Sequence, residues 1–233
     1  MDSATRLNKF LSQIGYCSRR AADQLIEAGR VTVNGEPALM GQKVSAKDAV
    51  WVDGKSIAKP PTKPVYLAFN KPKGIVCTTN ARVEKNNIVD YINYPTRIFP
   101  VGRLDKNSEG LILLTNDGEL TNQILKARNH NEKEYKVVVD RPITKEFIEK
   151  MENGIPILDT VTRKCKVKQT HKKEFGIILT QGLNRQIRRM CEYLGYRVVS
   201  LKRVRIMHIP LDVKTGEYRL LSAKEVQGFL RKN

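Results

Sequence analysis

Histidine, paired cysteine and acid are what this chain is short of. Its three histidines, His130, His171 and His208, are too scattered to suggest a metal cluster. The four cysteines, Cys17, Cys77, Cys165 and Cys191, include no C-x-x-C pair, which argues against a zinc knuckle, and they are read as reduced structural thiols. No metal or cofactor is expected. No apolar run approaches the roughly 20 residues that span a bilayer. The opening MDSATRLNKF has no apolar stretch of the kind a secretory signal needs. A soluble, cytoplasmic protein without a membrane partner is expected. There is no G-x-x-x-x-G-K-[S/T], hence no Walker phosphate cradle, and no G-x-S-x-G, hence no serine-hydrolase elbow.

Base, by contrast, is abundant. Among 233 residues, 42 Lys and Arg face 24 Asp and Glu, a net charge of +18. A globular chain this basic is suited to a polyanion, because each neutralised phosphate releases condensed counterions. Nucleic acid is the first partner class that this implies. The charge is uneven: residues 1–60 carry +3 and residues 61–233 carry +15. Within the latter, 163–205 holds thirteen basic residues against Glu174 and Glu192. That stretch is expected to supply the main phosphate-facing surface.

The clearest break is AKPPTKP, 58–64, whose three prolines suit neither a helix nor a central strand. It reads as a linker between a small module, 1–57, and a larger body, 65–233. In the module, Leu7, Phe10, Leu11 and Ile14 have helical spacing. Ser18 can cap a second helix that ends at Gly29, and RVTVNG and AVWVDG read as strands stopping at Asn34-Gly35 and Asp53-Gly54 turns. In the body, strands are expected at VYLAFN, EKEYKVVVD, TRKCKVK, FGIILTQ and YRVVSLKRVRI. Helices are expected after Thr144, at NRQIRRMCEYLG, and after Ser222, where Glu225 completes capping-box spacing. Helices and strands do not alternate strictly, which favours an α+β fold with a mixed, mainly antiparallel sheet.

Three features carry chemistry. Arg6, Lys9, Arg19, Arg20 and Arg30, with Ser18 at a helix start, can form a phosphate-gripping face, or an ordinary solvated one. GRLDKNSEGL, 102–111, places Asp105 alone among cations. It can be a turn residue paired with Arg103 or a helix cap. A metal nuclease would want several converging carboxylates; a solitary one suits a nucleophile or base acting on a sugar or base ring. QGLNRQIRRM, 181–190, concentrates Arg185, Arg188 and Arg189.

RLNKFLSQIGYCSRRAADQLIEAGRVTVNG resembles the alpha-L RNA-binding module of small-subunit ribosomal protein four, over most of 5–50. KPKG (71–74), GRLDKNSEGLILLTNDGEL (102–120), HNEKEY (130–135) and QGLNRQIRRM follow the order and spacing of the RsuA/RluB/RluE/RluF group of pseudouridine synthases, and look most like its RluF subgroup. Gln181-Gly182 stands where many of the group have Glu-Gly. The resemblance implies a pseudouridine synthase fold with a central cleft. It implies isomerisation of a uridine in large-subunit ribosomal RNA near the peptidyl transferase centre, free or in a pre-ribosomal particle. Small-subunit RNA or a transfer RNA anticodon, or a non-catalytic assembly role, are the alternatives, and a monomer is expected. It further implies Asp105 as the catalytic aspartate, Tyr135 stacking on the uracil, Arg188 pairing with the aspartate, Arg103 filling the gap left by the flipped nucleotide, and Leu201 lining the base pocket. Lys71, Arg185 and Arg189 would join the RNA contacts.

Overall fold

The computed structural model describes residues 4–57, 63–79, 84–125 and 130–230. The chain divides into two units, Met1–Pro64 and Val65–Asn233. Of the expected linker, residues 58–62 lie outside the described residues.

The first unit runs β1 (Thr5–Arg6), α1 (Leu7–Gln13), α2 (Arg19–Glu27), β2 (Val31–Val33), β3 (Glu36–Pro37), β4 (Lys43–Val44), β5 (Val50–Val52) and β6 (Lys55–Ser56). Ser18 Oγ accepts from Ala21 N at 3.1 Å, as expected of an N-cap. The Asn34-Gly35 and Asp53-Gly54 turns have positive φ at both residues, 55° and 90°, then 51° and 72°. They close an antiparallel sheet of order β3-β2-β5-β6. Leu7, Phe10 and Leu11 of α1 and Ala22 and Ile26 of α2 bury against Val31, Val33, Val50 and Val52.

The second unit begins with β7 (Tyr66–Lys71), α3 (Ile88–Ile92), β8 (Phe99–Val101), β9 (Glu109–Thr115), α4 (Gly118–Leu125) and β10 (Lys133–Val139). It continues with α5 (Lys145–Asn153), β11 (Pro156–Ile157), β12 (Thr160–Val161), β13 (Lys166–His171), β14 (Glu174–Leu179) and α6 (Gln186–Tyr193). It ends with β15 (Val198–Ile206), β16 (Ile209–Pro210), β17 (Tyr218–Leu220) and α7 (Ala223–Leu230). Thr144 caps α5 through Phe147 N at 3.1 Å. Ser222 and Glu225 exchange the two bonds of a capping box at α7.

The main sheet has the order β13-β14-β10-β15-β9-β7-β17, with β16 on β15 and β8 on β9. Its pairings are antiparallel except for β15 with β9. That parallel seam is short, Lys202 opposite Glu109 and Arg203 opposite Gly110, and it joins two antiparallel halves. Gly110, at φ 103°, lets the strands close here: a Cβ would collide with the backbone of Arg203. Helices α5 and α6 cover one half with Phe147, Met151, Ile187 and Met190. Leu120, Ile124 and Phe229 of α4 and α7 pack on Ala68, Leu111 and Leu113. Leu67, Phe69, Ile112 and Leu114, on the alternate positions, meet Ile88, Ile98 and Leu104. The centre of the sheet is thus buried on both faces, and the seam is where its two halves open toward a cavity. Strand β17, which extends the sheet edge beside β7, has no counterpart among the strands expected from periodicity.

Candidate active site at the parallel seam

The second unit contains a cavity of about 730 Å³ over this seam. Among the described residues, its lining includes one acid, Asp105, and five cations: Arg103, Lys106, Lys133, Arg185 and Arg203.

Asp105 sits on the connection from β8 to β9. Leu104 anchors that connection by burying its side chain in the core, and its N–H points at Cys77 Sγ, 3.3 Å away. The backbone then turns tightly, Ser108 N donating to Asp105 O at 3.0 Å. From the other side Gly74 N donates to Lys106 O at 2.8 Å, so the KPKG turn braces the loop. With its neighbour buried and its backbone held, Asp105 presents a one-third exposed carboxylate to the cavity.

The cation closest to that carboxylate is Arg185, whose Nη1 lies 3.8 Å from Asp105 Oδ2. Arg185 is the N-cap of α6 and adopts a left-handed backbone, φ 48°, a conformation that costs a non-glycine residue energy. Arg188, the expected partner, is placed differently. It does not line the cavity. Its Nη2 donates to Asn107 O at 3.1 Å and approaches Ser108 Oγ at 3.4 Å, while Nη1 donates to Val198 O at 3.3 Å. Arg188 therefore clamps the main chain two residues beyond Asp105 from behind. Burial and the nearby Arg185 push its pKa down, and Asp105 partly offsets them.

Tyr135 and Leu201 both line the cavity, from β10 and β15. Tyr135 lies opposite Arg203 across the strand pair. Leu201 is 6% exposed. Arg103 is solvent-exposed at the rim. Arg189 is half-buried in α6, and its Nε donates to Asn184 O, just ahead of the helix, at 3.1 Å.

Lys71 corrects the expectation of an RNA contact. It is fully buried. Its ammonium donates to Pro72 O at 2.8 Å and Ile75 O at 2.9 Å, so it holds the KPKG turn together. Burial pushes its pKa down, with Cys77, Asp105 and Glu109 opposing. The first lysine of Lys-Pro-Lys-Gly gives no sequence signal of this, since it closes a strand whose last five residues all turn out to be buried.

In the first unit Arg6, Arg19 and Arg20 are exposed and Lys9 is half-buried. Arg30 departs from the expected phosphate-gripping set. Its guanidinium forks onto Asp53, Nε to Oδ1 at 2.7 Å and Nη2 to Oδ2 at 2.6 Å. That pairing raises the Arg30 pKa and lowers that of Asp53. Ser18 is likewise occupied as the cap of α2.

Two residues of the site were not singled out from sequence, Lys133 and Arg203. Strand alternation contained the signal for the first: Lys133, Tyr135 and Val137 share a face, and Val137 is core. Glu132 and Glu134, on the other face, are taken up by Arg205 at 3.1 and 2.8 Å. Lys133 is left with Asn131 O at 3.3 Å. Burial, then the charge of Arg203, pushes its pKa down to about 8. For Arg203 the alternation of LKRVRI does not announce burial.

A lone, partly exposed carboxylate, an aromatic ring lining the same cavity and a cationic wall suit chemistry on a nucleobase glycoside. Comparison with known proteins agrees. The sequence profile of the RNA pseudouridylate synthase family matches residues 65–193, and that of the S4 domain matches residues 5–50. The chain belongs to the RNA pseudouridylate synthase family, with an S4 RNA-binding domain at its N-terminus; it is an isomerase, and RNA is its partner. Similar curated proteins are the dual-specificity RNA pseudouridine synthases RluF of Salmonella typhi, 55% identical, and Escherichia coli K12, 53% identical. Both alignments cover 97% of this chain and 78% of the relative. The ribosomal large subunit pseudouridine synthase B of Bacillus subtilis is 36% identical over 95% of this chain and 94% of its own. A crystal structure of a pseudouridylate synthase superposes with a TM-score of 0.71 at 28% identity, covering 96% of this chain and 99% of that one. The α+β expectation thus holds. Among the described residues no helix is long and apolar enough to cross a membrane.

Proposed function

We propose that this chain converts a uridine of large-subunit ribosomal RNA to pseudouridine, with Asp105 as its catalytic carboxylate. The observation that carries the assignment of Asp105 is its position as the single acid, among the described residues, lining a cation-rich cavity. The target nucleoside leaves its stack and enters the cavity, with exposed Arg103 at the rim filling the space it vacates. Tyr135 and Leu201 hold the uracil. Asp105 acts at C1′ or on the 2′ proton, and the C1′–N1 bond breaks. The uracil turns, and C5 bonds to C1′. Arg185 faces the carboxylate at 3.8 Å, and Arg188 fixes the loop that carries it. Uridine and pseudouridine are isomers, so no outside electrons or group donor are consumed.

Large-subunit RNA is favoured by the names of the similar proteins, one of which is a large-subunit enzyme. Those called dual-specificity favour a second RNA substrate, for which a transfer RNA anticodon is the candidate. The site of action on this reading is the cytoplasm. The test is to map pseudouridines in cells lacking the protein and then restore it as wild type or Asp105→Ala. Wild type should return the missing modifications. Asp105→Ala should return none while binding the same RNA stem-loop with similar affinity. Modification by Asp105→Ala would refute the assignment.

A further inference from the structure

The floor of the cavity carries two cations that the mechanism above leaves without work. Lys133 on β10 and Arg203 on β15 both line it, close to Tyr135. Arg203 is 97% buried, its residual exposure being 3%. Its Nε donates to Leu111 O across the seam at 2.6 Å. Its Nη2 is buried and has no hydrogen-bond partner. Buried guanidinium donors without a partner are rare in native proteins, and such a group calls for a reason. Lys133 is half-buried, and no carboxylate helps to hold its charge; the neighbouring charge that acts on it is the repelling Arg203. Two like charges kept together in a partly dry cavity are unfavourable unless an anion joins them. The carboxylate of the cavity, Asp105, is engaged with Arg185 instead.

Resting on the reading of Asp105 given above, we propose that Lys133 and Arg203 together bind the carbonyl oxygens of the detached uracil and stabilise it as an anion while it turns. When C1′–N1 breaks, the bonding pair leaves with N1. The ring becomes a uracil anion whose charge is shared among N1, O2 and O4. C1′ meanwhile either bonds to an Asp105 oxygen or, after loss of the 2′ proton to it, becomes part of a double bond. Reattachment through C5 forms the new C1′ bond as the Asp105–C1′ bond breaks or, on the other route, as Asp105 returns the proton to C2′; the proton on C5 is then released, and N1 takes one up. The anion exists only between these two events. Donors fixed where that charge develops lower both barriers without reorganising, which is where electrostatic catalysis is most effective. Arg203 is fixed by Leu111, and Lys133 by its strand.

The test measures single-turnover cleavage at saturating enzyme on an RNA stem-loop bearing either uridine or 5-fluorouridine. Cleavage is scored as loss of the intact nucleoside after digestion. Fluorine makes the departing anion less basic, so its release depends less on external cations. Lys133→Met should slow uridine cleavage by about 100-fold, leave RNA affinity within about threefold, and slow 5-fluorouridine cleavage by a clearly smaller factor. Lys133→Arg, which keeps the cation, should recover most of the rate. An equal loss on both substrates would indicate misplacement of Tyr135 or Asp105 and overturn the proposal. So would an unchanged rate, or a Lys133→Arg chain as slow as Lys133→Met. Wild-type activity that needs Asp105 but ignores Lys133 would overturn this inference alone; a wild type that makes no pseudouridine would take both readings down.

Discussion

Replacing Lys133 by methionine should make the folded protein more stable at neutral pH while disabling it. The ordinary lysine pKa of 10.5 is pushed down to about 8 at this position, by burial first and by Arg203 second. At about 1.36 kcal/mol for each factor of ten in the proton equilibrium, holding the ammonium charged in the folded chain costs about 3 kcal/mol. Part of the side chain remains wet, and methionine gives up the weak contact to Asn131 O. The net gain at pH 7 is therefore expected to be about 2 kcal/mol, since methionine fills nearly the same volume. The pH dependence has a definite sign. A lysine whose folded pKa is depressed binds its proton more tightly when unfolded. The penalty is present in full below about pH 8 and fades as pH rises from about 8 toward 10.5. Wild type should thus gain on the variant across that window, and at pH 9.5 more than half of the difference should be gone. Urea unfolding of the full chain, followed by circular dichroism at pH 7 and pH 9.5, measures both quantities. A variant less stable than wild type at pH 7, or a difference that stays constant between the two pH values, would show that the ammonium is not desolvated in the fold.

Two further outcomes are expected. Gly110→Ala should cost about 3 kcal/mol or more and abolish activity, because the new Cβ strikes the Arg203 backbone at φ 103°; a thermal midpoint within a few degrees of wild type would contradict the close approach at the seam. RNA binding should weaken steeply with added salt, and Arg19→Ala should flatten that slope by about one phosphate contact, whereas Lys71→Met should leave it unchanged and instead destabilise the fold by orphaning the Pro72 and Ile75 carbonyls. An equal effect of both substitutions on the salt slope would return Lys71 to the RNA surface.

Much of this protein is legible from residues a few positions apart. The caps at Ser18, Thr144 and Ser222, the Asn34-Gly35 and Asp53-Gly54 turns, and the alternation through 133–139 are local choices. Their partners lie within about four residues, so composition and spacing suffice to read them. The break near residue 60, the basic excess, and the isolated Asp105 are equally visible in one dimension. Tertiary structure alone decided which cation meets which group. Arg185 and Arg188 lie on one helix start and touch one loop, yet one reaches the Asp105 carboxylate and the other the Asn107 carbonyl, because Arg185 is the N-cap in a left-handed backbone while Arg188 stands inside the helix. Lys71 looks like any surface lysine until the strand that it ends is buried in the sheet. Arg203 and Lys133 become neighbours only through pairing between β10 and β15, some seventy residues apart in the chain. Burial and long-range pairing set the charge state and direction of a side chain, and neither quantity is a property of its immediate sequence.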